Sequence, residues 1–182
     1  MKIIDHFVEG KKYSGNSKRT SFIYNPATGE ATAKVKLGST KDLNSAASAN
    51  HFVCLGHGLG VQAARVETAK PIGIVLNFTP GRVENRSDSD ITALERYEAV
   101  TNTWYLSAVT KGKYPHAALS ELEPLLPRNW QRDMDIIRAP IDFIGINYYT
   151  TQMLKAGGQD FPYVEIVDRN LPKTDMGWEI EP

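Results

Sequence analysis

The chain has 182 residues, 41% hydrophobic and 23% charged, enough for one ordinary domain with a packed core. Lys plus Arg balance Asp plus Glu at 21 each, so zero net charge excludes an electrostatic case for nucleic acid or an acidic membrane and leaves self-association unopposed. The single Cys54 excludes an internal disulfide, no run approaches the roughly 18 apolar residues of a membrane span, and Met1 to Glu9 lacks the apolar core of a secretory signal, so the expectation is a cytoplasmic protein.

Residues 1–38 are expected to be β-rich. Ile3-Ile4 and Phe7-Val8 read as short strands before a turn at Glu9 to Lys12. Ser14 to Thr20 is polar and reads as a loop, and Ser21 to Tyr24 alternates weakly. In Asn25-Pro-Ala-Thr-Gly29, Pro26 presets φ and Gly29 tolerates positive φ, which predicts a turn. Glu30 to Leu37 sets Ala31, Ala33, Val35 and Leu37 against Thr32, Lys34 and Lys36, the period of a half-buried strand. Ser39-Thr-Lys-Asp42 is a capping box. The helix it opens is expected from Thr40 to about Val66, with Ala46, Ala47, Cys54 and Val61 roughly along one face.

Gly56, Gly58 and Gly60 each weaken that helix by about 1 kcal/mol relative to Ala, which is tolerable where a helix lies tightly against a sheet. They come after a helical stretch rather than a strand and form no phosphate loop. His57 and Cys54 read as packing residues. After Pro71, Ile72 to Phe78 reads as the first buried strand, with Asn77 at its end. Thr79 to Asp90 reads as a loop, and Ser87-Asp-Ser-Asp90 can cap a helix from about Ile91 to Val109. Leu94, Tyr97, Val100, Thr101, Trp104 and Tyr105 have helical spacing there, and Trp104 reads as core.

Ser120 to Leu126 is a short helix candidate, and Trp130 to Ile137 leads into Ala139-Pro140. Ile141 to Ile146 is then almost continuously apolar before Asn147, Tyr148 and Tyr149 arrive together. Such a run suits a strand covered on both faces of a parallel sheet. Its polar end suits the C-terminal rim of a (β/α)8 barrel, and equally a buried strand whose tyrosine hydroxyls find partners. Beyond Thr151 the chain is polar and Gly-rich at Gly157-Gly158, and Tyr163 to Val167 reads as a small rim strand. No Pro/Gly/Ser-rich hinge and no internal repeat occur.

Two family resemblances rest on these residues. Phe7-Val-Glu-Gly-Lys-Lys12 with Tyr24-Asn-Pro-Ala-Thr-Gly-Glu30 resembles the N-terminus of aldehyde dehydrogenases of the methylmalonate-semialdehyde type, over about residues 1–49. In that family these strands form an arm outside the catalytic centre. The chain has no stretch like the family's nucleophilic-cysteine motif or its Gly-rich cofactor loop, so no cofactor is implied. Asp142-Phe-Ile-Gly-Ile-Asn-Tyr-Tyr-Thr150 resembles the sixth barrel strand of family 1 glycoside hydrolases, and Ile72-Gly-Ile-Val-Leu-Asn77 resembles the fifth. His51 to His57 resembles the helix after the fourth strand, Thr103 to Leu106 with Lys111 to Pro115 the helix after the fifth, and Thr174 to Ile180 the loop after the sixth. This resemblance covers about residues 50–182. It implies an α/β fold, a partial (β/α)8 barrel of about strands five and six with flanking helices, preceded by a β-rich arm over 1–49.

A retaining β-glucosidase, as the resemblance implies, needs two carboxylates about 5–5.5 Å apart. The family places them in Asn-Glu-Pro and Glu-Asn-Gly motifs, and neither motif occurs in this chain. No catalytic residue and no metal ligand is therefore assigned. Glu84, Asp88, Asp90 and Glu179 are the remaining rim-side acids and read as solvated surface groups. By resemblance Tyr149 is the tyrosine that contacts the nucleophile, Asn147 an active-site asparagine, and Asn77 a rim residue near the aglycone side.

The ligand implied is a β-glucoside or another small carbohydrate, with no nucleic acid or membrane partner. Three readings stand: a β-glucosidase fragment inactive alone, a non-catalytic chimera, or an aldehyde-dehydrogenase-like oxidoreductase fragment. The strands Ile72–Asn77 and Phe143–Tyr148 are expected side by side and parallel, joined by a right-handed crossover. Their open edges are expected to drive self-association.

Overall fold

The computed structural model describes residues 2–8, 11–14, 18, 20–25, 27–36 and 40–180. It divides into two compact units, 1–52 with 125–127, and 53–124 with 128–182. Glu9 and Gly10 of the expected turn, much of the loop Ser14 to Thr20, and Ser39 of the capping box lie outside the described residues, while Lys11 and Lys12, expected in that turn, stand in a strand.

Among its described residues the first unit holds five short strands: β1 (Lys2–Ile4), β2 (His6–Val8), β3 (Lys11–Tyr13), β4 (Thr20–Tyr24) and β5 (Ala31–Lys36). β5 is central between parallel β1 and antiparallel β4, and β2 pairs with β3 as a hairpin. β4 and β5 are joined by the predicted turn. The amide of Ala27 donates to Asn25 Oδ1 at 2.9 Å, the amide of Gly29 donates to the Asn25 carbonyl at 2.8 Å, and Gly29 sits at φ +71°, where a Cβ is disfavoured. The Ser48 hydroxyl donates to the Leu125 carbonyl at 2.8 Å, tying residues 125–127 to this unit.

Helix α1 (Thr40–Glu67) begins in the first unit and continues in the second. Of its three glycines only Gly58 is sterically required. A Cβ there would lie 2.1 Å from the Ile136 carbonyl oxygen, whereas Gly56 and Gly60 face open space. The close neighbour is another helix, not the expected sheet.

In the second unit, β6 (Gly73–Phe78) is followed by β7 (Gly81–Val83), α2 (Asp88–Glu98), a π-helical turn at Ala99–Thr103, and α3 (Trp104–Lys111). One helix was expected from about Ile91 to Val109. The helix is longer, and the π turn interrupts it. Gly112, at φ +62°, ends it with its amide on the Ala108 carbonyl. Next come α4 (His116–Leu122), a 3-10 turn, α5 (Met134–Ile137), β8 (Phe143–Tyr148), β9 (Gln152–Ala156) and β10 (Val164–Ile166). The core lies under Trp104, which stacks on Tyr114 at 3.9 Å; Tyr114 in turn meets Trp130 at 5.3 Å. Cys54 is buried against this cluster, and burial pushes its thiol up to about 11, so it packs rather than reacts.

β6 and β8 pair in parallel, in register from Gly73↔Phe143 to Phe78↔Tyr148, as the sequence predicts. Asp142 joins their N-terminal ends: its carboxylate accepts from Arg65 of α1 and from the Ile72 amide at 2.7 Å. The expected burial of β8 on both faces is not found. Leu76 in β6 is 8% exposed, but Ile146 opposite is 66% exposed and Val75 60%. Among the described residues β6 and β8 form a sheet of two strands, and no element covers the far side of β8.

β7 and β9 were not expected, since Thr79 to Asp90 reads as a loop and the chain after Thr151 as polar and Gly-rich, with a strand only at Tyr163 to Val167, where β10 lies. They pair in parallel, Gly81↔Gln152 to Val83↔Leu154, and β10 adds antiparallel. Pro80 and Gly81 hide a three-residue strand from any local pattern. Its pairing comes from a segment about seventy positions away.

Candidate functional site

Parallel pairing puts the C-terminal ends of β6 and β8 at one rim. In-register residues of a parallel pair share a face, so Asn77 and Asn147 are direct neighbours. The Asn147 side-chain amide donates to Asn77 Oδ1 at 2.8 Å. Two of the three predicted site residues, seventy positions apart in sequence, are thus hydrogen-bonded to each other. The remaining amide hydrogens and lone pairs are open to a polyhydroxylated ligand.

Tyr149, the third predicted residue, comes directly after β8 and is exposed. Its ring meets Trp178, with centroids 5.1 Å apart and the planes at 33°. Trp178 is delivered by the Thr174 to Ile180 motif. The Gly177 amide donates to the Thr174 carbonyl at 2.8 Å, the Trp178 amide to the Thr174 hydroxyl at 3.2 Å, and Gly177 stands at φ +80°. No atom crowds Gly177, so its backbone angle rather than space demands glycine. The Thr150 hydroxyl donates to the Glu179 carbonyl at 3.1 Å, holding this loop against the end of β8. Trp178 sits in a motif noted in the sequence but was not singled out, because its neighbour Tyr149 is 29 positions away.

The rim-side acids are structural where the structure engages them. Glu179 is not a solvated surface group: its side chain is 13% exposed and accepts from Arg169 Nη2 at 2.7 Å, Arg169 Nε at 2.8 Å and the Arg169 amide at 3.1 Å. Asp90 accepts from the Ala156 amide at 2.7 Å and from the Ser87 hydroxyl at 2.6 Å, and these bonds, the amide's first, hold its carboxyl below the usual range. It links the start of α2 to β9. Glu84 and Asp88 are exposed. Among the described residues no group of three or more His, Cys, Asp or Glu side chains could hold a metal ion.

The segment leaving β6 is anchored from the helix behind it. Asn102, 3% exposed in the π turn, accepts from the Thr79 amide at 2.9 Å and donates to the Thr79 carbonyl at 3.2 Å. Glu98 Oε1 accepts from the Gly81 amide at 2.6 Å and Oε2 from Asn102 Nδ2 at 2.7 Å. The Tyr97 hydroxyl also donates to the Thr79 carbonyl, at 3.1 Å. Nothing in the sequence singles out these groups, because an Asn and a Glu four apart on a helix read as an ordinary surface pair.

Together these groups offer amide and hydroxyl hydrogen bonding beside an aromatic face. Such groups can hydrogen-bond to and stack on a polyhydroxylated ring, and they include neither a general-acid nor a nucleophilic carboxylate.

The family model described as glycosyl hydrolase family 1 matches residues 21–182. The chain is similar to the 1,4-beta-D-glucan glucohydrolase of Thermotoga neapolitana, at 37% identity over 145 residues, covering 78% of this chain and 34% of that protein. A beta-glucosidase from Exiguobacterium marinum superposes with a TM-score of 0.70 at 29% identity, over 77% of this chain and 33% of that one. A beta-glucosidase from Thermotoga maritima in complex with deoxynojirimycin gives 0.66 at 36% identity, over 72% and 30%. The chain spans about a third of the length of the curated relatives it matches.

Proposed function

Because the chain belongs to glycosyl hydrolase family 1, we propose that it is the sugar-orienting part of a retaining β-glucosidase, the fifth and sixth strands of a (β/α)8 barrel, and that it hydrolyses no glycoside by itself. The observation that carries this reading is the hydrogen-bonded Asn77–Asn147 pair at the C-terminal rim of two parallel strands. A barrel of this kind places its chemistry at that rim. Tyr149 would orient the nucleophile carboxylate, Asn147 and Asn77 would hold ring and aglycone hydroxyls, and Trp178 would offer its face to a sugar ring. Double displacement needs an acid/base and a nucleophile on either side of the scissile bond. The two motifs that carry them in the family are missing from this sequence, so the carboxylates would have to come from other strands.

The test is an aryl β-glucoside assay of the purified chain, alone and mixed with a chain carrying the other six strands. No turnover alone is expected, with turnover on mixing that falls when Tyr149 is changed to Phe. Turnover by the isolated chain that Tyr149→Phe reduces would show that the catalytic groups have been misassigned.

Residues 1–49 are read as an aldehyde-dehydrogenase-like arm without catalytic chemistry, on the strength of the Phe7–Lys12 and Tyr24–Glu30 motifs. The family match begins at residue 21 and takes in the second half of that segment, which counts against the arm reading there; the arm reading itself predicts that replacing residues 1–49 leaves sugar binding unchanged. A cytoplasmic location is proposed with it, and cell fractionation decides that point.

A further inference from the structure

We propose that Glu98 and Asn102 are positioning residues for the rim: from the last residue of α2 and from the π turn after it they form a clamp that holds Asn77 in the geometry needed to meet a sugar. The proposal rests on the site reading above and extends it to two residues that touch no ligand themselves.

β6 has one partner strand among the described residues, so its C-terminal end is held by hydrogen bonds from one side only. The end of such a ladder frays unless its next backbone groups are fixed. Those groups belong to Thr79, Pro80 and Gly81. Pro80 has no N–H to offer. The Thr79 amide and carbonyl are both taken by Asn102, and the Gly81 amide by Glu98. The Pro80 carbonyl accepts from the Gln152 amide at 2.9 Å. Every backbone hydrogen-bonding group of this three-residue exit that the helix can reach is therefore engaged, two residues beyond Asn77.

The π turn shapes this arrangement. Such turns insert one residue into a helix and rotate the residues beyond them about its axis. Here the turn carries Asn102 on the side that faces the exit segment, with Glu98, four residues earlier at the end of α2, holding the Asn102 amide in place. Glu98 is suited to the task because a carboxylate is an acceptor at both oxygens, and two N–H donors point at it. A glutamine of the same shape has one acceptor. Its NH2 would confront one of those donors.

The experiment uses the full chain, labelled with 15N, in wild-type and Glu98→Gln forms. The readouts are amide exchange at Thr79 and Gly81 and the side-chain amide signals of Asn77 and Asn147. In Glu98→Gln the Gly81 amide, which loses its bond to a charged acceptor, is expected to exchange at least about tenfold faster, and the Thr79 amide, whose acceptor Asn102 loses its own partner, to exchange faster as well. The Asn77 and Asn147 side-chain signals should at the same time move toward free-amide positions. Tyr97→Phe, which keeps the ring and loses one hydroxyl, should shift the same signals less. Asp135→Asn, in a distant ion pair with Arg138, should shift none of them.

Faster exchange with unmoved asparagine side-chain signals would overturn the proposal, leaving a loop anchor with no role at the rim. Unchanged exchange in Glu98→Gln would overturn it as well. Titration of the wild-type chain with deoxynojirimycin, the compound held by the Thermotoga maritima enzyme, tests the site reading separately. Absence of binding there counts against the sugar site, while the ligand-free signals still decide the clamp.

Discussion

Asp142 carries the acid sensitivity expected at the bottom of the β6–β8 pair. Its carboxyl is held below the ordinary value by the hydrogen bond from Arg65 and by the Ile72 amide. A carboxyl lowered in the folded state stabilises the fold above its unfolded pKa and loses that contribution as pH falls through the folded value. The melting temperature should therefore hold from neutrality down to about pH 4, the unfolded carboxyl value, and drop below it. Asp142→Asn should lower it at neutral pH and flatten the acid limb. An unchanged melting profile in the variant would remove Asp142 from the account. Glu179 is a more enclosed partner, with three hydrogen bonds from Arg169. Glu179→Gln leaves the guanidinium short of a charge in a half-buried place and should cost roughly 1–3 kcal/mol. The denaturant midpoint measures this, and Trp178 emission should report loosening of its loop.

Helix α1 tests whether close approach or conformational freedom explains its glycines. Gly58→Ala would drive a methyl into the Ile136 and Ile137 backbone and should destabilise by about 1–3 kcal/mol. Gly56→Ala and Gly60→Ala meet nothing and should stabilise by about 0.5–1 kcal/mol through reduced unfolded-state freedom. Urea unfolding of the three variants separates the signs. Equal effects at all three positions would mean that α1 does not pack closely on α5. The rim elements obey a similar logic. β7 contains only three residues, yet Gly81 sits so near Leu154, Leu94 and Tyr97 that a Cβ has no room. Its place is set by packing rather than by strand propensity.

At the scale of the molecule, the unpaired strand edges and the exposed Val75, Phe143 and Ile146 are an invitation to pair with other chains. Zero net charge offers no repulsion against it. Light scattering across a concentration series should find oligomers or aggregates. A monodisperse species near 20.2 kDa with a cooperative melt would sink the self-association proposal. A soluble chain bearing the complementary strands should suppress the association, because it would cover the same edges.

The sequence alone determined what depends on local pattern and motif. The strands Ile72–Asn77 and Phe143–Tyr148, the Asn25–Gly29 turn, the long helix near Thr40–Val66 and the buried Trp104 come from periodicity and turn chemistry, and the parallel pairing of the two strands from the barrel resemblance. Asn77, Asn147 and Tyr149 were named by the resemblance of their strands to family 1 glycoside hydrolases; the apolar run that ends in amide and phenol groups marks only the polar end of a strand. What tertiary structure decided depends on residues far apart in the chain. That Asn77 bonds to Asn147, that Trp178 leans on Tyr149, that Glu179 is spent on Arg169, and that Glu98 and Asn102 grip Thr79 and Gly81 are matters of register and packing. The exposure of β8 also belongs there. An apolar run says a strand would gain by being covered on both faces, but only the arrangement of neighbouring elements decides whether anything covers it.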